Sequence, residues 1–318
     1  MADAPTRSAE TPSGGEDRRE WTRAAALLLS ILVLWDSTAL VVVPLLFLLV
    51  GHPVRRAAAF LVGAAGAFLL FGLEARAGGT WYLELAWAVL AGGWFAALTL
   101  RRPETGLFHR ALGAVGASVA VLAGAFAARP EWWGVVDWSV RDRLFRAAGR
   151  GVSALRELQQ PDGLPAGFAD TLYGMVEVQW VLFPAFLGLA TMAGLAVAWW
   201  VYVRVAQGRH GALAPLQELR FEDQLIWVFI AGLLMVAMAA GDGWTRAGSN
   251  TLVFMGTLYV LRGAAVVLFL NGGLSLLGGL VLAMAMLLVA PVILGAALLI
   301  GLGDTWLNVR EKVRAATG

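Results

Sequence analysis

Long apolar stretches alternate with short polar connections along most of this chain of 318 residues. A helix needs about 20 apolar residues to cross the hydrocarbon core of a bilayer. Six of the eight stretches have the length for a single crossing, whereas the first and the last are ambiguous. The pattern predicts an all-α, polytopic transmembrane helical bundle. The stretches cover residues 24–50, 57–73, 81–100, 111–128, 173–203, 225–240, 251–270 and 274–303.

Composition places the chain in lipid rather than in water. Hydrophobic residues make up 59% of the sequence and charged residues 14%, with a mean hydropathy of +0.72. A soluble domain carries about 25% charged residues. The lipid bilayer is therefore the expected partner, and a net charge of +2 does not predict a nucleic-acid partner. Because cysteine is absent, disulfides, thiolate metal sites and cysteine nucleophiles are excluded, and we expect no cofactor.

The placement of arginine orients the segments. Short cytoplasmic loops collect arginine, and the basic residues of this chain concentrate in alternate loops. Both tails are basic as well, so both termini are expected in the cytoplasm. The loop arginines that carry this argument are Arg55, Arg56, Arg101, Arg102, Arg110, Arg204, Arg209 and Arg220.

Cytoplasmic termini have a consequence for the two ambiguous stretches. The first contains Asp36 near its middle, and the last, of 30 residues, contains Pro291 near its centre. Each stretch is either one long kinked helix or two short helices folded as a hairpin. With both tails on one side, the hairpins are favoured, with Asp36 and Pro291 at the turns.

The remaining segments complete the expected organisation. Residues 1–20 form a polar, disordered cytoplasmic tail, followed by N-terminal membrane helices (21–128), an extracytoplasmic loop (129–172), and C-terminal membrane helices with a short basic tail (173–318). Within the loop, apolar side chains recur at helical spacing while most arginines lie off that line. An amphipathic helix at the membrane interface is predicted, either as a plain connector or as a lid or docking element. Its apolar positions are Val140, Leu144, Ala148, Val152 and Leu155.

Charged residues inside apolar stretches indicate candidate binding sites. Arg262 lies in the middle of the stretch 251–270. A charge at the bilayer centre costs about 2.5–3.5 kcal/mol on insertion scales and usually faces a partner or a cavity. Arg262 is therefore expected to point inward, either in a structural ion pair or toward a ligand. Its expected partners are Glu84, Glu177 and Gln179. Asp36, which is also a candidate helix cap, completes the candidate ligand-binding set.

Catalytic motifs are scarce. The three histidines are not arranged as metal ligands, and neither a P-loop nor a Gly-x-Ser-x-Gly motif occurs. The segment from Gly301 to Asp304 matches the Gly-x-Gly-Asp motif of intramembrane aspartyl proteases, which need a second aspartate because two close carboxylates share one proton. Asp36 and Asp242 are the only candidates, and neither has the sequence context of that family. We therefore expect no enzyme, and proteolysis through Asp304 is a further alternative.

The last hundred residues resemble a known family. Ser249-Asn250-Thr251-Leu252, Leu258-Tyr259-Val260-Leu261-Arg262-Gly263-Ala264-Ala265-Val266-Val267 and Asp304-Thr305-Trp306-Leu307-Asn308-Val309-Arg310 follow in the order of the YybS-like family of bacterial membrane proteins of unknown function. The match covers roughly 219–314, and Arg262 stands where the family pattern has glutamine. The residues that match the family pattern are Asn250, Gly263, Asp304, Trp306 and Arg310; we expect Asp304 and Trp306 at the membrane interface and Arg310 facing cytoplasmic phosphates.

The resemblance extends the functional hypotheses. In its N-terminal half the YybS-like family is similar to the substrate-binding S-components of energy-coupling-factor vitamin transporters, which borrow ATPases from a separate module. For the present chain, the resemblance implies a bacterial inner-membrane protein that binds or transports a small solute. Its partners would be an ATPase module or other membrane subunits. The alternative is a structural or accessory subunit of a larger membrane complex.

Overall fold

The computed structural model describes residues 39–51, 79–158, 168–204, 216–273 and 275–317, and every regular element in these ranges is helical. The tail 1–20, the Asp36 turn and the stretch 57–73 lie outside the described residues. The helices are α1 (Ala39–Gly51), α2 (Gly79–Arg101), α3 (Leu107–Ala128), α4 (Pro130–Leu158), α5 (Phe168–Val181), α6 (Phe183–Tyr202), α7 (Ile226–Met238), α8 (Asp242–Leu270), α9 (Leu276–Leu307) and α10 (Val309–Thr317).

Length and composition agree with a membrane location. Five helical segments of the described ranges are long and apolar enough to cross a bilayer, and two further apolar helices are shorter. The predicted all-α membrane bundle is therefore confirmed. The five segments are Leu83–Arg101, Leu107–Ala128, Phe183–Tyr202, Asp242–Leu270 and Leu277–Leu307.

Helix α6 lies at the centre of the packing. Its buried residues Leu195 and Tyr202 contact a core that also includes Leu48 of α1 and Phe95 of α2. A Cβ atom added to Gly194 would lie 2.7 Å from the backbone oxygen of Leu40, so α1 and α6 pack with almost no space between their backbones. Small residues allow such close approach of membrane helices.

The predicted stretch 173–203 is two helices rather than one. Helix α5 ends at Val181 and α6 begins at Phe183, with Pro184 in its first turn. Proline has no N–H, so it cannot donate the helical hydrogen bond to the carbonyl four residues earlier. The expectation of a single helix here was wrong because Pro184 is embedded in an otherwise continuous apolar run.

Helix α9 is interrupted near its centre. Its backbone leaves helical geometry at Val289 (φ −136°, ψ 35°), two residues before Pro291. Both flanks of the helix lie near Gln217: a Cβ atom on Gly273 would be 3.2 Å from Gln217 Nε2, and Arg310 Nη1 donates to Gln217 O at 3.0 Å. A straight 32-residue helix would be about 48 Å long, so the kink turns the chain back. The fold-back expected at Pro291 is thus present, with a kink in place of a loop.

The predicted amphipathic helix is α4. Ala148 and Val152 are buried, whereas Leu155 is 36% exposed. Phe145 of α4 stacks on Tyr173 of α5 with ring centroids 6.0 Å apart, so α5 returns alongside α4. The apolar face of α4 therefore packs against the rest of the protein over part of the helix.

The described arginines of the basic loops gather at one end of the bundle. Phe108 stacks on Phe221 with centroids 5.5 Å apart, and Arg220 pairs with Glu311 at 2.8 Å, so the loop before α3, the segment before α7 and α10 are neighbours. We call this the arginine-rich end; it contains Arg102, Arg110, Arg204, Arg220 and Arg310. The opposite, tryptophan-rich end contains Trp133, Trp180 and Arg246, together with Arg129 and Arg141 of the long loop 129–172. Arg55, Arg56 and Arg209 lie outside the described residues.

Candidate functional site

Arg262 lies in a packed ion-pair network. The side chain is fully buried; its Nε donates to Asp304 Oδ2 at 3.0 Å and its Nη2 to Asp223 Oδ1 at 2.8 Å. Its Nη1 donates to the backbone oxygen of Phe221 at 3.4 Å, and the Phe221 ring lies 5.2 Å from the guanidinium carbon. Each nitrogen of the guanidinium therefore already has a protein partner.

Asp304 connects three further elements of the fold. Its Oδ2 also accepts a hydrogen bond from Arg310 Nη2 at 3.0 Å, and Arg310 Nη1 donates to the backbone oxygens of Gln217 and Leu219. Asp304 and Arg310 are 1% and 2% exposed. Removing one partner from a buried ion pair costs about 3–5 kcal/mol because it leaves an unpaired charge. The network therefore joins α8, α9, α10 and the segment before α7.

The expected partners of Arg262 were wrong. Glu84 on α2 pairs with Arg143 of α4. Glu177 and Gln179 are exposed on α5, which lies at the tryptophan-rich end. Arg262 lies in the last third of α8, near the arginine-rich end, because α8 begins at Asp242 rather than at Thr251. Asp36 lies outside the described residues.

The residues of the terminal signature have different environments. Trp306 is 69% exposed, and its position at the membrane interface stays a prediction. Asp304 and Arg310 are buried instead, so the expectation that Arg310 faces lipid phosphates was wrong. Its guanidinium is held by Asp304 and by backbone oxygens. Asp223, whose role was not predicted from the sequence, lies within the range 219–314 that the resemblance covers.

The surroundings of Asp304 bear on the protease alternative. The groups bonded to its carboxylate are the guanidinium groups of Arg262 and Arg310, and Asp223 lies on the other side of Arg262. Asp242 begins α8 at the opposite end of the bundle. A catalytic dyad requires two carboxylates close enough to share a proton. This arrangement gives Asp304 an ion-pairing role, and the expected lack of enzymatic activity stays a prediction.

Asn250 repairs the helix break at Pro184. Its Oδ1 accepts the N–H of Ala185 at 2.9 Å, and its Nδ2 donates to the backbone oxygen of Val181 at 2.9 Å. An unbroken helix would bond these two backbone groups to each other. Arg246 Nη2 donates to the oxygen of Trp180 at 3.1 Å, the carbonyl that Pro184 leaves without a donor. Asn250 therefore has a structural role that requires both halves of its amide.

A groove of about 860 Å³ opens beside this region, between α3 on one side and α7 and α8 on the other. Its mouth, at the arginine-rich end, carries Arg102, His109, Arg110 and Glu222. The rest of its lining is mainly apolar and includes Leu98, Leu112, Val115, Val119, Val228, Phe254 and Met255. A concave, mostly apolar site with a few convergent polar groups is the usual form of a small-molecule site.

Arg110 is the unusual member of the groove wall. It is 6% exposed, and its Nε has no hydrogen-bond partner among the residues that the structure describes. Its guanidinium carbon lies 4.3 Å from the centre of the Trp199 ring, which is a cation–π contact. A buried charge is costly unless it is paired. The role of Arg110 was not predicted from the sequence, because its position resembles that of any interfacial arginine.

Comparison with known proteins supports the membrane assignment alone. Residues 148–305, about half of the chain, match the family described as "Predicted membrane protein (DUF2232)". The matched region includes Asn250, Gly263 and Asp304 and ends before Trp306 and Arg310. No curated protein and no solved structure matches the chain significantly.

Proposed function

We propose that this protein is a non-enzymatic membrane protein that binds a small amphiphilic ligand in the groove between α3, α7 and α8. The observation that carries the proposal is the buried guanidinium of Arg110, which has no ionic partner within the described ranges and lines an apolar groove. A buried arginine of this kind acquires its missing partner when an anionic group enters the groove. The ligand-binding residue in this proposal is Arg110, whereas the sequence had indicated Arg262.

The proposal gives Arg262 a structural role. Its guanidinium is saturated by Asp304, Asp223 and a backbone oxygen. A ligand at this position would have to displace a buried ion pair, which is unfavourable. The groove needs no such displacement, because its deeper walls consist of apolar side chains and of polar groups that already have backbone partners.

The cellular setting in this proposal follows the arginine distribution. The arginine-rich end lies on the cytoplasmic side of a bacterial inner membrane, and both termini lie on the same side. Transport by the S-component route would need a separate ATPase module, because the sequence has no P-loop. The proposal itself requires binding alone.

The test compares small molecules that co-purify with matched variants. Gly116 lines the groove, and a Cβ atom there would meet nothing within 4 Å, so Gly116→Leu adds its side chain from a position with open space around the Cβ atom. Gly124 lies on the same helix, is equally open and is outside the groove, so Gly124→Leu is the control. The proteins are purified from native membranes in mild detergent and their extracts analysed by mass spectrometry.

We expect an amphiphilic anion in stoichiometric amount with the wild type and with Gly124→Leu, and its loss with Gly116→Leu. Arg110→Leu should reduce it while the protein remains monodisperse in size-exclusion chromatography. Identical extracts from all four proteins would refute the proposal.

A structural or accessory subunit of a larger complex is the second candidate. The apolar part of α9 around its kink buries little of its surface within this chain, with Leu287 and Leu288 at 82% and 77% exposed. Such a face is covered by lipid or by another subunit. Gentle solubilisation and mass analysis of co-purifying proteins distinguish the candidates: a fixed set of subunits lost when Leu287 and Leu288 are changed to polar residues favours the scaffold.

A further inference from the structure

The depth of the groove corresponds to one leaflet of a bilayer. Along α3 the lining residues extend from His109 at the mouth to Val119 at the deep end. Ten residues of α-helix rise about 15 Å, which is half of the hydrocarbon thickness of about 30 Å. A single acyl chain inserted from the arginine-rich end therefore spans the groove.

The charges of the groove lie at its arginine-rich end. Arg102 and Arg110 provide two positive charges at the mouth, and Glu222 provides one negative charge among the lining residues. The balance is positive even with His109 neutral. Guanidinium groups bind phosphate through paired, charge-assisted hydrogen bonds. Glu222 disfavours a ligand whose negative charges are spread along its length.

The deep end offers little to a polar solute. The amide of Asn250 is occupied by the backbone of Ala185 and Val181. The hydroxyl of Thr251 donates to the oxygen of Ala247 at 2.9 Å. A sugar or a vitamin with polar groups at both ends would lose hydrogen bonds with water and gain few here, whereas an acyl chain loses none.

Apolar side chains are also exposed at the lateral edges of the groove. Val119 and Val228 line it and are 53% and 44% exposed. In a bilayer such exposed valines contact lipid tails. A ligand already in the membrane can therefore enter the groove laterally, between Val119 and Val228, without passing through water.

We infer that the ligand of the groove is an anionic phospholipid from the leaflet at the arginine-rich end, with its phosphate on Arg110 and one acyl chain along α3. This inference rests on the proposed function and names its ligand class. It differs from general annular lipid binding because it requires a buried arginine and a defined groove.

The experiment measures lipid binding to the full chain by native mass spectrometry. The protein is delipidated in detergent and titrated with phosphatidylglycerol or phosphatidylcholine of identical acyl chains. The variants are Arg110→Gln and Gly116→Leu. Their controls are Arg129→Gln, which removes a positive charge just beyond the other end of α3, and Gly124→Leu on the same helix.

We expect one phosphatidylglycerol to bind more tightly than phosphatidylcholine. A charge-assisted hydrogen bond lost at Arg110 should weaken binding roughly ten- to a hundredfold in Arg110→Gln. Gly116→Leu should abolish the site, and both controls should bind as the wild type does. Because Gly116→Leu adds volume to open space, its loss of binding with an unchanged elution profile does not reflect unfolding.

Equal binding of both lipids, or phosphatidylglycerol binding unaffected by Arg110→Gln and Gly116→Leu, would overturn the inference. Competition by inorganic phosphate alone as strong as that by the lipid would overturn it as well, since the site would then recognise a soluble anion. If the native extracts contain a different molecule that depends on Gly116, the lipid inference fails while the proposed function stands.

Discussion

Gly263 of α8 and Gly301 of α9 face each other at a backbone-to-backbone contact. A Cβ atom on Gly301 would overlap the oxygen of Tyr259 and lie 2.9 Å from the nitrogen of Gly263; one on Gly263 would overlap the oxygen of Ala297. The two helices can approach this closely because neither residue has a side chain. This contact brings Arg262 and Asp304, which lie close to the two glycines in sequence, within hydrogen-bonding distance.

The first prediction concerns the two glycines of the Gly-x-Gly-Asp motif. Gly301→Ala should separate α8 from α9 and destabilise the protein by about 1–3 kcal/mol, as overpacking in a core does. Gly303→Ala should not destabilise the protein, because a Cβ atom there meets nothing within 4 Å and alanine favours a helix over glycine. Thermal unfolding in detergent, followed by circular dichroism, gives the comparison. Equal stability of the two variants would contradict the contact.

The second prediction compares a buried arginine with an exposed one. Arg262→Leu leaves Asp304 with one cationic partner in a buried site and should cost about 3–5 kcal/mol. Arg220→Leu breaks the pair with Glu311, in which both side chains are at least 40% exposed, and should cost about 0–1 kcal/mol. Chemical denaturation of both variants provides the measurement. A cost for Arg262→Leu no larger than that for Arg220→Leu would show that the network is not a stabilising contact.

The pattern of long apolar stretches predicted the class of fold, because helix surfaces that face lipid consist of apolar residues. The placement of arginine in alternate loops predicted that Arg102, Arg110 and Arg220 share one end of the bundle. The interruption near Pro291 could be anticipated, since a proline in the centre of a long helix removes a hydrogen bond. Pro184 has the same chemistry, but its position within a long apolar run concealed the break.

The candidate site was less accessible to sequence analysis. The depth of Arg262 was estimated from the apolar stretch 251–270, whereas α8 extends back to Asp242. Its partners come from residues 39 and 42 positions away, Asp223 and Asp304, and no local spacing encodes such pairs. Arg110 could be identified only from three-dimensional burial, because its sequence environment is that of an ordinary interfacial arginine.

The third prediction concerns Asn250. Asn250→Leu keeps the size of the side chain but leaves the N–H of Ala185 without the oxygen that now accepts its hydrogen bond. An unsatisfied buried donor costs about 1–3 kcal/mol. Thr257→Val on the same helix is the control: the Thr257 hydroxyl donates to Val253 O within its own turn, and the change should be nearly neutral.

The measurement for Asn250 is hydrogen exchange of the amides around the helix break, together with thermal unfolding. Faster exchange at Ala185 in Asn250→Leu, and unchanged exchange in Thr257→Val, is the expected result. If Asn250→Leu protects Ala185 as well as the wild type does, the amide does not bridge the break.

The fourth prediction concerns the two ends of the bundle and uses the absence of cysteine from the chain. Single cysteines at Thr105 and Lys312 lie at the arginine-rich end, and one at Gly243 lies near the start of α8 at the other end. A membrane-impermeant maleimide applied to sealed inside-out vesicles should label Thr105→Cys and Lys312→Cys but not Gly243→Cys. Right-side-out vesicles should give the reverse, because the ends lie on opposite sides of the membrane and arginine-bearing loops remain in the cytoplasm. Labelling of Thr105→Cys and Lys312→Cys from different sides would contradict both the fold-back of α9 at Val289 and the shared end.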